Sequence, residues 1–274
     1  MSSKTYLIDI IGEKIVLPDS RWYRSEFGTF PGVTSILQMK AKSGLSNWQI
    51  MVAMNGVDPK AVGREAMDEG SIVHDACEKI MKGDELSFFD NNGNEQYKFW
   101  EEWMPINRFA EAYQQLDIKP LLIEQTIVNA EYGYAGTLDL LCGLQPDKKT
   151  KKRELAVIDL KRAKTATPEY LWQVSAYIKS IQWLYGNVCV FNKNLKEIGI
   201  TQDAIDNLKG YLLLLNVDSK SGWRLTEVQD VDRCFGNFKA CLHLFKDEKQ
   251  NYEYAEKMYP IKIKLEKKGD DDAK

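Results

Sequence analysis

The chain has few cysteines, and they stand singly. Its five cysteines are scattered and odd in number, and no Cys-x-x-Cys pair occurs, so a disulfide framework or a thiolate zinc site is not expected. An apolar run of about 18 residues is also missing, and Met1 to Tyr6 lack the basic-then-apolar pattern of a secretion leader. We therefore expect no membrane partner and a reduced, cytoplasmic setting.

Charge and phosphate-binding signals are weak over the chain as a whole. No Gly-x-x-x-x-Gly-Lys-Ser/Thr loop occurs, so any nucleotide-driven motor would have to be another chain. The net charge of −3 argues at first against a nucleic-acid partner, because phosphate contacts are made mainly by lysine and arginine. Such contacts would have to come from a locally basic segment.

One segment is strongly basic. Residues 148–164 contain eight lysines or arginines against two acidic residues, a net charge of +6 over 17 residues. For residues 148–153 alone, a solvated hairpin turn is the favoured interpretation. The alternative is a DNA-binding surface, whose candidate residues are Lys148, Lys149, Lys151, Lys152, Arg162 and Lys164.

The rest of the composition is that of a globular protein. With 274 residues, 44% apolar and 28% charged, the chain can build one sizeable core or a core with an accessory lobe. The order of helical and strand-like patterns predicts an N-terminal hairpin and helical extension over residues 1–115. An α/β core is expected over residues 116–260, and a tail over 261–274 that is disordered at its end.

The predicted elements follow hydrophobic period and capping signals. In the first part we expect a hairpin at 6–11 and 14–17, an aromatic loop at 22–31, and helices from Trp48, at 59–80 and at 94–116, the last interrupted by Pro105. In the core we expect strands at 121–128, 134–144 and 154–161, a helix at 168–184, strands at 188–192, 210–217 and 223–228, and a helix from Val231. The pattern predicts an α/β fold with a central mixed sheet flanked by helices.

Two neighbouring strands have the most informative acidic residues. Side chains alternate along a strand, so Asp159 and Lys161 project to the same side of the 154–161 strand. If the 134–144 strand pairs with it, Asp139 joins them and supplies a second oxygen ligand for a divalent cation, with a lysine beside it for a phosphate. A purely structural contact between Asp159 and Lys161 is the alternative that these two residues leave open.

The tripeptide Asp-x-Lys is not specific by itself. It occurs seven times, starting at Asp58, Asp117, Asp147, Asp159, Asp218, Asp247 and Asp272. Only the Asp159 copy follows an apolar run dense enough to be a buried strand. A carboxylate buried there needs a metal or a cation, because leaving it unpaired would cost roughly several kcal/mol.

Two helices add polar residues to the same region. Gln173 and Tyr177 are spaced i, i+4 and share one face of the helix that follows the Asp159 strand. His74 lies on an earlier helix and is one of only two histidines. A lone helical histidine usually has no functional role, which is how we interpret His243; His74 differs only in the residues that accompany it.

Five elements taken in chain order resemble the PD-(D/E)XK nuclease superfamily. They are Gly70-Ser-Ile-Val-His74, Glu124, Gly136-Thr-Leu-Asp139, Ile158-Asp159-Leu-Lys161 and Gln173-Val-Ser-Ala-Tyr177. The pattern looks most like the RecB-type branch, which includes phage exonucleases and the mitochondrial genome maintenance exonuclease. The resemblance spans roughly residues 70–177 and implies a restriction-endonuclease-like core.

The resemblance also implies a role for each matching residue. The metal is held by the equivalents of His74, Asp139, Asp159 and the backbone carbonyl of Leu160. The equivalent of Lys161 orients the attacking water or stabilises charge on the phosphate. The equivalents of Gln173 and Tyr177 position the helix face and the DNA strand near the scissile phosphate. Glu124 matches an acid whose role varies within the family. We expect it to contact the metal ligands and not the metal itself.

Histidine and carboxylates, rather than thiolates, favour a hard or borderline metal. Mg²⁺ or Mn²⁺ is therefore the expected cofactor. Some relatives hold an iron–sulfur cluster through four cysteines, but Cys234 and Cys241 are separated by six residues with no third cysteine nearby, so no cluster is expected.

The function implied by the resemblance is metal-dependent hydrolysis of DNA, and an exonuclease is expected because this branch is rich in end-directed enzymes. The setting would be DNA processing, recombination or repair by a prokaryotic or phage-encoded protein, with a helicase, recombinase or single-strand-binding protein as a separate candidate partner. Three alternatives stay open: an endonuclease, a catalytically silent DNA-binding or assembly module on the same fold, and an unrelated metal enzyme acting on a small phosphorylated substrate.

Overall fold

The computed structural model describes residues 14–16, 20–40, 45–146 and 153–248 of the chain. Within these ranges a mixed five-stranded sheet lies between two groups of helices, which confirms the predicted α/β class. The predicted strand at 6–11, the basic residues 148–152 and the tail 261–274 lie outside the described residues.

A small antiparallel sheet comes first. It contains β1 (Lys14–Val16), β2 (Arg21–Ser25) and β3 (Gly28–Pro31). The prediction of an aromatic loop at 22–31 is wrong, because Trp22 and Tyr23 bury their rings as part of a paired strand. The helix α1 (Val33–Ile36) and a 3₁₀ turn (Leu37–Met39) follow.

The helical region continues with α2 (Leu45–Met54), which begins earlier than predicted, and α3 (Pro59–Lys82). The start of α3 follows from its capping residues: the Asp58 carboxylate accepts the Lys60 N–H at 2.9 Å, and proline occupies the first turn. The helix ends before Gly83, whose φ of 91° suits glycine. These signals are local, so the helix predicted at 59–80 is confirmed.

The helix predicted at 94–116 begins later than expected. A π-helical turn (Phe99–Trp103) leads into α4 (Met104–Gln115). Pro105 lies in the first turn of α4, directly after the point where the π-helical turn gives way to the α-helix.

The large sheet contains β4 (Lys119–Asn129), β5 (Tyr134–Leu144), β6 (Glu154–Lys161), β7 (Lys209–Leu214) and β8 (Arg224–Glu227), in this spatial order. Strands β6 and β7 are parallel, and every other neighbouring pair is antiparallel. The strands predicted at 134–144 and 154–161 match β5 and β6, so the two acid-bearing strands are neighbours as expected.

Three helices connect β6 to β7, and one follows β8. They are α5 (Pro168–Asn187), α6 (Cys189–Glu197), α7 (Gln202–Asp206) and α8 (Val231–Glu248). The strand predicted at 188–192 is wrong: these residues open α6, on which Phe191 and Leu195 are spaced by one helical turn and buried together. No helix in the described part of the chain is both long and apolar enough to cross a membrane.

Each face of the large sheet has its own core. The first core lies against α1, α5 and α8, and the second lies against α3 and α4. Along β6, Val157 belongs to the first core, whereas Ile158 and Leu160 belong to the second. Asp159 and Lys161 therefore project from the face that α5 covers.

Candidate metal centre

The candidate centre lies where the pairing between strands β5 and β6 ends. The ladder between β5 and β6 runs as far as the pair Leu140 and Ile158. Immediately beyond this pair, the backbone N–H of Leu160 donates to Oδ2 of Asp139 at 2.7 Å. A side-chain carboxylate is thus the acceptor for a strand amide, which fixes the orientation of Asp139.

Three side chains from three elements meet at this point. His74 Nδ1 on α3 lies 3.8 Å from Asp139 Oδ2 and 3.9 Å from Glu124 Oε1 on β4. One ligand atom from each of the three residues lies within 4.8 Å of the others. Glu124 is therefore one of the three candidate ligands in the cluster. The sequence pattern predicts instead that Glu124 contacts the ligands and not the metal.

Glu124 owes its position to an unusual backbone conformation. Its neighbours Ile123 and Gln125 pair with Leu140 and Leu138 on β5, which places Glu124 opposite Asp139. Its φ of 47° lies in the left-handed region, which is rare for a residue within a strand. Such a conformation costs on the order of 1–3 kcal/mol and is often found at functional sites.

Asp159 is engaged by a second group of side chains. Gln173 Nε2 on α5 lies 2.9 Å both from Asp159 Oδ1, to which it donates, and from the hydroxyl of Tyr177. The Lys161 ammonium lies 2.5 Å from Asp159 Oδ2, an atom with no partner in full hydrogen-bonding geometry among the described residues. The predicted residues Asp159, Lys161, Gln173 and Tyr177 thus form one connected group. The role of Asp159 and of the Leu160 carbonyl as metal ligands stays a prediction.

Helix α5 can pack closely against β5 because the β5 residue that faces Tyr177 is a glycine. A Cβ atom at Gly136 of β5 would lie 2.8 Å from Cε1 of Tyr177, which is too close for two carbon atoms. The absence of a side chain at Gly136 lets the Tyr177 ring pack directly on the β5 backbone. Tyr177 and Gln173 are consequently buried beside Asp159.

Burial and neighbouring charges act in opposite directions on the pKa values of the centre. Burial lowers the pKa of His74, but the carboxylates of Asp139 and Glu124 outweigh it and raise that pKa to about 9. Burial raises the pKa of Asp159 to about 6, although the Lys161 ammonium opposes this. Burial also lowers the pKa of Lys161, but Asp159 and Asp139 raise it above its usual value overall. The imidazolium and the ammonium balance the buried carboxylates.

A cavity of about 510 Å³ opens in front of these side chains. Its wall includes Tyr23 of β2, together with Lys14 of β1 and Arg21 of β2. The sequence pattern did not identify Lys14 and Arg21. Burial and the charge of Arg21 lower the pKa of Lys14. The carboxylates of Glu124 and Asp139 raise this pKa, but their effect is smaller. Arg21 and Tyr23 are two residues apart on β2 and therefore project to the same side of the strand. Only the fold, however, places this strand beside the centre.

The predicted DNA-binding residues have different surroundings. Arg162 donates to Glu69 on α3 at 2.8 Å and is largely covered, although it also lines the cavity. Lys164 is exposed and pairs with Asp218 at 3.2 Å. The remaining candidates, Lys148, Lys149, Lys151 and Lys152, lie outside the described residues, so their role stays a prediction.

The resemblance to the PD-(D/E)XK superfamily stays a prediction based on five short motifs. No protein-family model matches the chain, and no curated protein matches it.

Proposed function

We propose that the protein is a divalent-metal-dependent nuclease that hydrolyses phosphodiester bonds of DNA from an end. The proposal rests on the convergence of His74, Glu124 and Asp139, with ligand atoms within 4.8 Å of one another, on a cavity that Lys161 also lines. Metal ligands beside a partly buried ammonium suit this reaction, because negative charge develops on the phosphate as the bond breaks. The RecB-type resemblance adds the preference for DNA ends.

The donor set fits a hard or borderline divalent cation. Two carboxylates and one imidazole offer oxygen and nitrogen atoms, and bonds of ~2.0–2.6 Å to a common ion keep such atoms within roughly 4–5 Å of one another. Mg²⁺ or Mn²⁺, when bound, supplies Lewis acidity toward water and phosphate. His74, Glu124 and Asp139 would hold the ion, and the Leu160 N–H would keep the Asp139 carboxylate oriented.

Lys161 is the residue that we assign to the phosphate. Its ammonium lies 2.5 Å from Asp159 and 5.3 Å from the centroid of the Tyr170 ring, so its position is fixed from two sides. Asp159 is held in turn by Gln173. A cation fixed in advance stabilises developing charge without reorganisation during the reaction.

The mouth of the cavity suits a nucleic-acid backbone. Lys14 and Arg21 line the same cavity as the candidate metal ligands. The chain as a whole has a net charge of −3, so its surface overall does not attract DNA. We therefore expect DNA to bind on this face alone, with its phosphates close to these cations.

Hydrolysis of end-labelled single- and double-stranded DNA in Mg²⁺, Mn²⁺ or EDTA tests the proposal. We expect metal-dependent products from linear DNA and none from a covalently closed circle. Asp139→Asn should abolish cleavage, and Lys161→Ala should lower kcat about 10²–10³-fold. Glu78→Gln is the control, because Glu78 lies on the same helix as His74 but pairs with Lys82 at the surface.

Different results would contradict different parts of the proposal. DNA binding without cleavage in either metal would favour a catalytically silent module. Rapid cutting of closed circles would favour an endonuclease. Calorimetric titration with Mn²⁺ separates the residue roles: Asp139→Asn should weaken metal binding and Lys161→Ala should not, so an equal loss would show that Lys161 is wrongly assigned.

A further inference from the structure

A second cavity adjoins the first. It has a volume of about 400 Å³ and lies between the 3₁₀ turn Leu37–Met39 and the start of α5. Thr34, Tyr170 and Gln173 line both cavities, so the two spaces share a wall. Pockets of roughly 300–1,000 Å³ enclose small organic ligands, and this one lies at the lower end of that range.

The second cavity differs from the first in its charge. Its described lining contains one cation, Lys40, which pairs with Glu169 at 2.7 Å and lies over the Trp172 ring. These two charges cancel. The remaining wall is formed by neutral side chains, including Leu37, Gln38, Thr167 and Pro168. A neutral, flat group therefore suits this space better than a phosphate does.

We infer that the second cavity receives a nucleobase of the DNA strand whose phosphate lies at the candidate metal centre, an inference that rests on the proposed function. Tyr170 supports it most directly, because its ring lines both cavities and lies 5.3 Å from the Lys161 ammonium. This distance is shorter than one nucleotide, so a base stacked on Tyr170 belongs to the nucleotide at the scissile phosphate or to its neighbour.

The lining chemistry fits a base without selecting one strongly. Leu37 and Pro168 offer apolar contact, and the exposed amide of Gln38 can donate to or accept from a base edge. Stacking on an aromatic ring tolerates any base, because every base has a π-face. A base inside a duplex cannot enter such a space, so the site selects a single strand or a frayed end.

Fluorescence and affinity measurements in EDTA test this inference without cleavage. Each probe is a 12-nucleotide single strand with a single 2-aminopurine. Across the set of probes, this base occupies the first, second or third position from one end or the other. At one position we expect quenching by the wild type and by Tyr170→Phe, which keeps the ring, and recovery with Tyr170→Ala. An abasic residue there should weaken wild-type binding roughly 5- to 100-fold, because no base then stacks on the Tyr170 ring, and should leave Tyr170→Ala binding unchanged.

The control variant is Phe89→Ala, which removes an exposed ring from outside the two cavities and should quench and bind as wild type does. If the strand binds but an abasic residue at none of these positions changes wild-type affinity, the base site is wrong and the nuclease proposal stands. This comparison does not depend on the folding of any variant. If no single strand binds at low salt, the base site is wrong, whereas metal-dependent hydrolysis of linear double-stranded DNA would still support the nuclease proposal.

Discussion

At His74, the imidazole must lose a proton before it can bind a metal, because only the neutral ring offers a lone pair. Its pKa of about 9 keeps it protonated at neutral pH. We therefore expect Mn²⁺ binding at pH 7 to release close to one proton, and the affinity to rise with pH until about pH 9. Calorimetry in two buffers of different ionisation enthalpy measures the number of protons released.

The source of this proton can be assigned with two variants. His74→Gln should remove the release, whereas His243→Gln, at an exposed histidine on α8, should not. Asp139, Glu124, Asp159 and Lys161 are the other charged groups around the imidazole. Full proton release by the His74→Gln variant would assign the proton to one of them instead.

Gly136 is a residue whose effect on the centre is steric. In Gly136→Ala the new methyl group would lie 2.8 Å from Tyr177, so the ring must move, which should lower the free energy of unfolding by about 1–3 kcal/mol. Cleavage should also fall, because the Tyr177 hydroxyl contacts Gln173. Urea denaturation measures the change in stability.

Gly63→Ala is the matched control for this substitution. Gly63 lies inside α3, and apart from its chain neighbours and the surrounding helix backbone no described atom lies within 4 Å of a Cβ built there. Alanine is a better helix former than glycine, so we expect this variant to be more stable by roughly 0.5–1 kcal/mol. A loss of stability as large as that of Gly136→Ala would contradict the steric explanation.

Residue types and spacing predicted much of the candidate centre. Asp139, Asp159, Lys161, Gln173 and Tyr177 were identified because alternation along strands and the i, i+4 spacing on a helix decide which side chains share a face. The direct place of Glu124 was not predictable, since its φ of 47° departs from strand geometry without any local signal such as glycine. Lys14 and Arg21 were missed because only long-range packing places β1 and β2 at the cavity.

The helices and strands that are predicted correctly are those with strong local sequence signals. Helix α3 and strands β5 and β6 have capping residues or long periodic patterns, and the structure confirms them. The segment at 188–192 is rich in residues that favour strands, yet it is helical because Phe191 and Leu195 gain burial against the first core. Tertiary packing outweighed propensity there, and a sequence pattern cannot show which packing surface is available.

Helix α3 is tied to the end of β6 by a largely covered ion pair. Glu69 accepts from Arg162 and from Lys98, and its side chain is only 9% exposed. Glu69→Gln would leave Arg162 without a carboxylate partner. We expect this change to lower the free energy of unfolding by roughly 1–3 kcal/mol and to weaken cleavage, since α3 supplies His74 and β6 supplies Lys161.

The neighbouring acid offers the comparison. Glu65 contacts the same Lys98 ammonium but is 63% exposed, so Glu65→Gln should change stability by less than about 0.5 kcal/mol. Chemical denaturation of both variants under one set of conditions gives the two values. Equal effects would mean that burial does not strengthen the tie between α3 and β6.

For the whole molecule, the distribution of cations predicts how DNA binding depends on salt. Each phosphate neutralised by a lysine or arginine contributes about 0.7 to the slope of log affinity against log salt for a single strand. Replacing Lys14 and Arg21 together by alanine should therefore lower the slope by roughly 1–1.5. Fluorescence anisotropy of a labelled single strand in EDTA, over a series of NaCl concentrations, measures it.

The same titration decides the role of the basic segment. If the segment binds phosphates, replacing Lys148, Lys149, Lys151 and Lys152 by alanine should also reduce the slope. An unchanged slope would indicate that the segment is a solvated turn. Lys193→Ala is the control, because this exposed lysine on α6 does not line the cavity at the candidate centre. A slope change of equal size for the control would mean that DNA binds without a preferred face.

The hydrogen bond from the Leu160 backbone to Asp139 has a spectroscopic consequence. The Leu160 nitrogen lies 2.7 Å from Oδ2 of Asp139, so its amide proton points at a side-chain carboxylate of the candidate centre. A cation or a proton that reaches the carboxylate withdraws electron density from it, weakens the bond and alters the shielding of the amide nuclei. In a ¹⁵N-labelled sample, the cross-peak of Leu160 should therefore move as Mg²⁺ is added. A single backbone resonance would then follow occupancy of the centre with no substrate present.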